Sequence, residues 1–351
     1  MPAFDIIVVG SGGGLDETNL SGYLVKPSNT SWDDGIIALE AGSGHGALRH
    51  IMKRNPNIFG EQPPDEDPSK KTTPSTVYSN VKCFLLTHAH LDHISSLVIS
   101  AGTFGGCSKR IYGSPQTLKD LETIFNDRVW PRLATYDETN PLFRLVYHAI
   151  HADGKYKTVF PDIAVRSMTI SHGKNELGCY ESSCFFVKHL PTEHEFVFFG
   201  DVEPDSIAIQ PRNITVWRAA APKIPHDLSA VFIECSYPTG RPNELLWGHL
   251  SPDHVVQEMI SLATEVVLAR RLPGAGDRLR PRKKQKGNPL APEALHGALN
   301  GLRVYIMHCK ENFNTERPIN HVIGDQCREL LAPHNLGLEL LTADQGMKIV
   351  I

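Results

Sequence analysis

Short apolar runs alternate along this chain with polar turns, and several of the runs end on one histidine or aspartate. Residues 5–10 read as a strand, Ser11 to Gly14 as a glycine-rich turn, and 20–26 and 35–40 as further strands. The spacing predicts a short helix over 44–54. An exposed loop over 55–80 follows from its Pro, Asp, Lys and Ser content. Strand 81–87 comes next, then a helix starting within 93–101. A longer helix is predicted over 115–136, with Pro115 in its first turn. Further strands are expected at 163–170, 182–189, 195–200 and 230–235. A helix over 252–269 has Ser251 as its cap and Pro252 as its first residue. Strand 302–307, helix 319–332 and strands near 336–341 and 346–350 complete the pattern. No internal repeat is visible. Strands of this kind are buried by two mixed sheets with helices outside them, an α/β (α+β) architecture.

The run Thr87-His88-Ala89-His90-Leu91-Asp92-His93 carries the chemistry. It follows the apolar stretch Val81 to Leu86. His88 and His90 are two apart and point to one side of extended chain, while Asp92 and His93 sit at a turn into a helix. Divalent metals such as zinc take nitrogen and oxygen ligands of this kind. One loop cannot complete such a site, so other donors must come from elsewhere. His172, Asp201 and His308 each follow an apolar strand and are the candidates. Gly10-Ser11-Gly12-Gly13-Gly14 follows a strand, as a dinucleotide site would. However, Leu20 onward reads as strand rather than a crossover helix, so the expected role is a tight turn that brings backbone close to the metal centre. Glu234 ends another apolar strand and can orient His249, which makes His249 a candidate phosphate contact and general acid. Glu40, after Ile36 to Leu39, is a candidate to orient a ligand histidine, with a helix-cap role as the alternative. The remaining histidines fall on expected loops or helices with no spacing that indicates a site.

Composition narrows the class. The 351 residues are 41% hydrophobic, enough for a large packed core. No apolar run is long enough to span a membrane, and the first residues read as a strand rather than a signal peptide. Seven cysteines without a CxxC pair fit reduced thiols, so a cytoplasmic protein is expected. Formal charge is −4, yet residues 270–286 hold eight basic residues and one acid, or +7, leaving −11 elsewhere. An acidic body with one basic insert does not fit a nucleic-acid-binding protein.

The order His88-x-His90-x-Asp92-His93, His172, Gly200-Asp201, His308 resembles the ligand order of the metallo-β-lactamase superfamily. Three further stretches narrow the likeness: Gly12-Gly13-Gly14 onward to Ser21-Gly22-Tyr23-Leu24-Val25, Thr87 to Leu97, and Gly248-His249-Leu250-Ser251-Pro252. With them the chain is similar to the class II, low-affinity cyclic-nucleotide phosphodiesterases of fungi. The resemblance covers residues 5–351 except for inserts at about 55–80 and 270–292. It implies a single metallo-β-lactamase-like domain over 1–351, an αββα four-layer sandwich. It also implies two divalent ions, Zn2+ first, with Mn2+ or Fe2+ as alternatives. His88, His90 and His172 would hold one ion, Asp92, His93 and His308 the other, and Asp201 would bridge them. His249 in place of His308 is the competing last ligand. Asp92, His249 and Glu234 are the candidate catalytic residues. The implied reaction is attack by a metal-bridging hydroxide on a 3′,5′-cyclic nucleotide, cAMP and secondarily cGMP, to give the 5′-monophosphate. The expected partner is this small molecule, with no membrane or nucleic acid; oligomeric state is open, a homodimer included. Two alternatives use the same ligands: a tRNA 3′-end metallo-endonuclease, gripping RNA through the basic insert, and an iron-dependent redox protein.

Overall fold

In this computed structural model the described residues are 2–61, 71–176, 178–271, 290–312 and 316–351. Residues 272–289, which hold most of the basic insert 270–286, and 62–70, the centre of the first insert, lie outside them.

Eight strands form one sheet. They are β1 (Phe4–Gly10), β2 (Gly22–Pro27), β3 (Ile36–Leu39), β4 (Val81–Leu85), β5 (Lys109–Gly113), β6 (Ala134–Thr135), β7 (Leu145–Ala149) and, returning from the far end of the chain, β15 (Lys348–Val350). Their order is β15-β1-β2-β3-β4-β5-β7-β6. The second sheet runs β14-β13-β12-β11-β10-β9-β8. Its strands are β8 (Lys157–Phe160), β9 (Ile163–Asn175), β10 (Gly178–His189), β11 (Glu195–Phe199), β12 (Leu228–Glu234), β13 (Arg303–Met307) and β14 (Glu339–Thr342). Both sheets are mixed: β3, β4, β5, β6 and β7 pair in parallel, as do β11 to β14, and the rest are antiparallel.

The central strands are apolar on both faces because both are covered. In β1, Ile6 and Val8 face the other sheet, where they join Tyr23, Phe198, Phe232 and Tyr305. Ile7 and Val9 face the opposite way, among Leu48, Ile94, Leu97 and Leu118. Those residues come from α1 (His45–Arg54), α3 (Leu91–Ser100) and α4 (Pro115–Ile124). In β12, Ala230 and Phe232 face the inter-sheet layer, and Val231 and Ile233 pack under α5 (Asn213–Ala220), α6 (Pro252–Arg270) and α7 (Ile319–Leu331). The result is the expected four layers. Among the described residues no helix is long and apolar enough to cross a membrane.

Several expectations need correction. Residues 74–80 of the first insert are not loop but the helix α2 (Pro74–Asn80), closed by a Thr73–Thr76 capping box. The helix expected over 115–136 stops at Ile124. There the Asn126 carboxamide accepts from the backbone N–H of Arg128 and Val129, and Asp127 takes φ 64°, so turn chemistry ends the helix. Ser251 is the N-cap residue of α6, but its hydroxyl pairs with the His254 ring at 2.8 Å instead of capping the backbone.

Candidate metal centre

The seven predicted donors converge where strands of both sheets end. His88, His90, His172 and Asp201 place one ligand atom each within 4.8 Å of one another, and so do Asp92, His93, Asp201 and His308. Asp201 belongs to both groups. Its Oδ2 lies 3.6 Å from His88 Nε2 and 3.6 Å from His172 Nε2. Its Oδ1 lies 3.2 Å from His93 Nε2 and 3.3 Å from His308 Nε2. One carboxylate therefore turns each oxygen to its own pair of imidazoles. Asp92 Oδ2 reaches His308 Nε2 at 3.1 Å, and His90 Nδ1 reaches His172 Nε2 at 3.3 Å.

Local backbone explains each position. Leu91 opens α3 with His90 as its N-cap, so Asp92 and His93 leave from the first helical turn. His172 is not at a strand end, as expected, but inside β9. There Ser171 pairs with Glu181 and Lys174 with Cys179, leaving His172 and Gly173 opposite Tyr180 alone. This β-bulge, with Gly173 at φ 69°, aims His172 into the cage. His308 has φ 58° after β13. The glycine-rich turn holds it from the other side. His308 N–H donates to Ser11 O at 2.6 Å, and Gly13 N–H to Cys309 O at 3.1 Å. A Cβ on Gly13 would fall 2.5 Å from His308 Cε1, so only glycine lets this backbone approach the ring.

The outward ring nitrogens have partners that fix the rings. His172 Nδ1 meets Gly248 O at 2.8 Å, His308 Nδ1 meets Ser236 Oγ at 3.0 Å, and His88 Nδ1 meets Thr87 Oγ1 at 3.0 Å. Glu40, at φ 59°, lies 3.6 Å from His93 Nδ1 and accepts from Thr87 N–H. Burial lowers the pKa of His88 well below its usual value and that of His172 to about 3, which keeps both imidazoles neutral with a free lone pair. Burial opposes charge on His93 as well, but Asp201, Asp92 and Glu40 outweigh it and raise its pKa. Burial also opposes charge on Asp92, yet His93 and His308 hold its carboxyl well below the usual range.

Glu234 and His249 stand beside this cage. Glu234 is fully buried, and its Oε1 lies 2.8 Å from His249 Nδ1. It also accepts from Val202 N–H and Ser236 Oγ–H. Burial, reinforced by Asp201, pushes its pKa up to about 7, and burial pulls that of His249 down to about 4. The three donors favour the Glu234 anion, with Nδ1–H of His249 directed at it. His249 Nδ1 is 3.9 Å from Asp201 Oδ2, farther than the 3.3 Å that separates His308 from the same carboxylate.

Sequence reasoning misses three neighbours. Tyr180, opposite the bulge, stacks on His90 with centroids 4.8 Å apart and planes 1° from parallel. Ser236 links Glu234 to His308. Lys310 Nζ donates to Gly13 O at 2.7 Å and lies 3.8 Å from Asp92 Oδ2, bringing a cation to an otherwise acidic and imidazole-lined site. The signal for Lys310 is its place two residues after His308, in the same segment leaving a strand.

This sandwich is the metallo-β-lactamase fold, shared over 99% of both chains with the metallo-β-lactamase fold protein YhfI of Bacillus subtilis at TM-score 0.56 and 14% identity. The unliganded yeast PDE1 structure shares the fold over 100% of both chains, with TM-score 0.80 and 23% identity. The model of the class II cAMP phosphodiesterases matches residues 56–346, which include all seven donors, Glu234 and His249. The 3′,5′-cyclic-nucleotide phosphodiesterase of Schizosaccharomyces pombe is 30% identical over 275 residues, 75% of this chain and 76% of its own. That of Aliivibrio fischeri is 26% identical over 347 residues, 98% and 92% of the two chains, so the likeness extends beyond fungi. The chain belongs to the class II cAMP phosphodiesterases and is, with them, a phosphoric-diester hydrolase.

Proposed function

We propose that this enzyme hydrolyses 3′,5′-cyclic nucleotides, cAMP first and cGMP second, to their 5′-monophosphates at a centre of two divalent ions, zinc first. The carrying observation is Asp201, whose two oxygens face two separate imidazole pairs. The donor set fits. His88 Nε2 is buried with no hydrogen-bond partner among the described residues, although it points at Asp201. An unpartnered buried nitrogen costs free energy that a metal would recover. His88, His90 and His172 would hold one ion, Asp92, His93 and His308 the other, with Asp201 shared. Bound there, the ions supply Lewis acidity toward phosphoryl oxygens and toward water.

The chain's own residues do the rest. Buried Asp201 and partly buried Asp92 set the charge of the centre, and the outer partners keep the ligand rings from turning. Glu234 fixes the His249 ring through Nδ1–H, so Nε2, which must first take up a proton from solvent because burial keeps the ring neutral, is the nitrogen that passes it to the 3′-oxygen as its bond to phosphorus breaks. The test is turnover of cAMP by the purified protein before and after chelation, with 5′- and 3′-AMP resolved. Only 5′-AMP is expected, with rate lost on chelation and restored by zinc. Activity that survives chelation, or 3′-AMP as product, would sink the reading.

Gly13→Ala should be disruptive. The added methyl meets the His308 ring, so zinc content should fall from two ions toward one. Stability should drop by about 1–3 kcal/mol, the usual cost of overpacking. Elemental analysis and denaturant unfolding would measure both.

A further inference from the structure

Trp247 is the feature of the site that its chemistry leaves unused. Its side chain is 66% exposed, whereas Trp32 and Trp217 are buried. Its backbone has φ 54°, a left-handed conformation that is costly for a bulky residue. The turn that carries it is pinned on both sides. Leu246 is fully buried, and its carbonyl accepts from His249 N–H at 3.1 Å. Gly248 is packed so closely that a Cβ would meet Gly173 N at 2.7 Å, and its carbonyl holds His172. A strained, immobile backbone thus presents a large aromatic side chain to solvent one residue from a group that fixes the cage.

Two more exposed apolar residues lie close in sequence to segments that build the cage. Leu91, 69% exposed, lies between His90 and Asp92. Leu15, 65% exposed and at φ 66°, is two residues beyond the glycine that packs on His308. Of the eight non-glycine residues with positive φ among the described residues, Glu40 and His308 belong to this site, and Leu15 and Trp247 lie within two residues of glycines packed on it. Exposed apolar side chains that stand singly need no explanation, but exposed ones on left-handed backbone beside the segments that build a cage, as at Leu15 and Trp247, do. In a cyclic nucleotide the phosphate is tied through the ribose to a flat, apolar-faced base. With the phosphate at the cage, the base must lie at its rim.

We propose that Trp247 is the stacking platform for the nucleobase. This rests on the cyclic-nucleotide reading above. The test compares Trp247→Ala and Trp247→Phe on cAMP and on 1-O-methylribose 3′,5′-cyclic phosphate, which keeps the sugar and phosphodiester but lacks the base. Trp247→Ala should raise KM for cAMP about tenfold, within the range of one lost base–aromatic stack, with kcat and metal content unchanged. Trp247→Phe should restore most of the loss, and neither variant should affect the base-free substrate. Equal losses on both substrates, an unchanged KM for cAMP, or a change only in oligomeric state would overturn the proposal. Adenosine titration separates the two readings. Quenching of tryptophan fluorescence that disappears in Trp247→Phe supports the platform even if wild-type protein fails to turn over cAMP, and no quenching in the wild type counts against it.

Discussion

Asp201→Asn should fold normally and lose both ions together. Oδ1 and Oδ2 face different imidazole pairs, so one substitution reaches both halves of the centre. The amide keeps the shape but removes the negative charge and replaces one oxygen by a donor that repels a cation. The expected loss in kcat/KM is at least about 10³-fold, the equivalent of several kcal/mol of Lewis-acid stabilisation at about 1.4 kcal/mol per decade. Elemental analysis should show both sites depleted, while circular dichroism stays native. His90→Ala is the milder comparison, because His90 touches one group only. Should Asp201→Asn keep two ions and full rate, the shared carboxylate would have no role in the centre.

His249→Asn should behave differently. The ring belongs to neither of the two donor groups that share Asp201, and its Nδ1 is committed to Glu234, so its removal should leave both ions in place. The loss should fall on kcat, by about 10²–10⁴-fold, the range for a general acid. Glu234→Gln should retain part of the activity, since the amide can still orient the ring. The leaving group gives the sharper readout. An activated diester such as bis(4-nitrophenyl) phosphate, whose phenolate departs without a proton, should be cleaved by His249→Asn at close to the wild-type rate. Equal losses on both substrates would remove the acid and leave His249 a phosphate contact.

Much of the centre is legible in the amino-acid sequence, and for a physical reason. The His88 to His93 motif is local, so its spacing alone brings four donors together. Asp201 and His308 follow apolar strands, and the pairing of those strands in a sheet delivers them to a common edge. The same rule reaches His172 for a partly wrong reason: its strand continues to Asn175, and a bulge rather than an end turns it inward. What the sequence hides depends on packing between distant segments. Nothing near Lys310 announces that its ammonium rests on Gly13, and nothing near Tyr180 announces a stack with His90. The strands β5, β7 and β8 and the helix α5 escape sequence reasoning because their runs are short or interrupted by charge, as in Lys109-Arg110-Ile111-Tyr112-Gly113. The overlong helix from 115 fails at Asn126, where an Asx turn outcompetes helical hydrogen bonding.

The stitching of Ser11 and Gly13 to His308 and Cys309, beside the pairing of β1 with β15, forms a seam between segments far apart in the sequence. Contacts so remote in sequence are slow to close, because the loop must be ordered before any of them contributes. His308 joins Asp92 and His93 only once this seam has closed, whereas His88, His90 and His172 draw on none of it. Local opening of the seam is thereby expected to disassemble one donor group and spare the other.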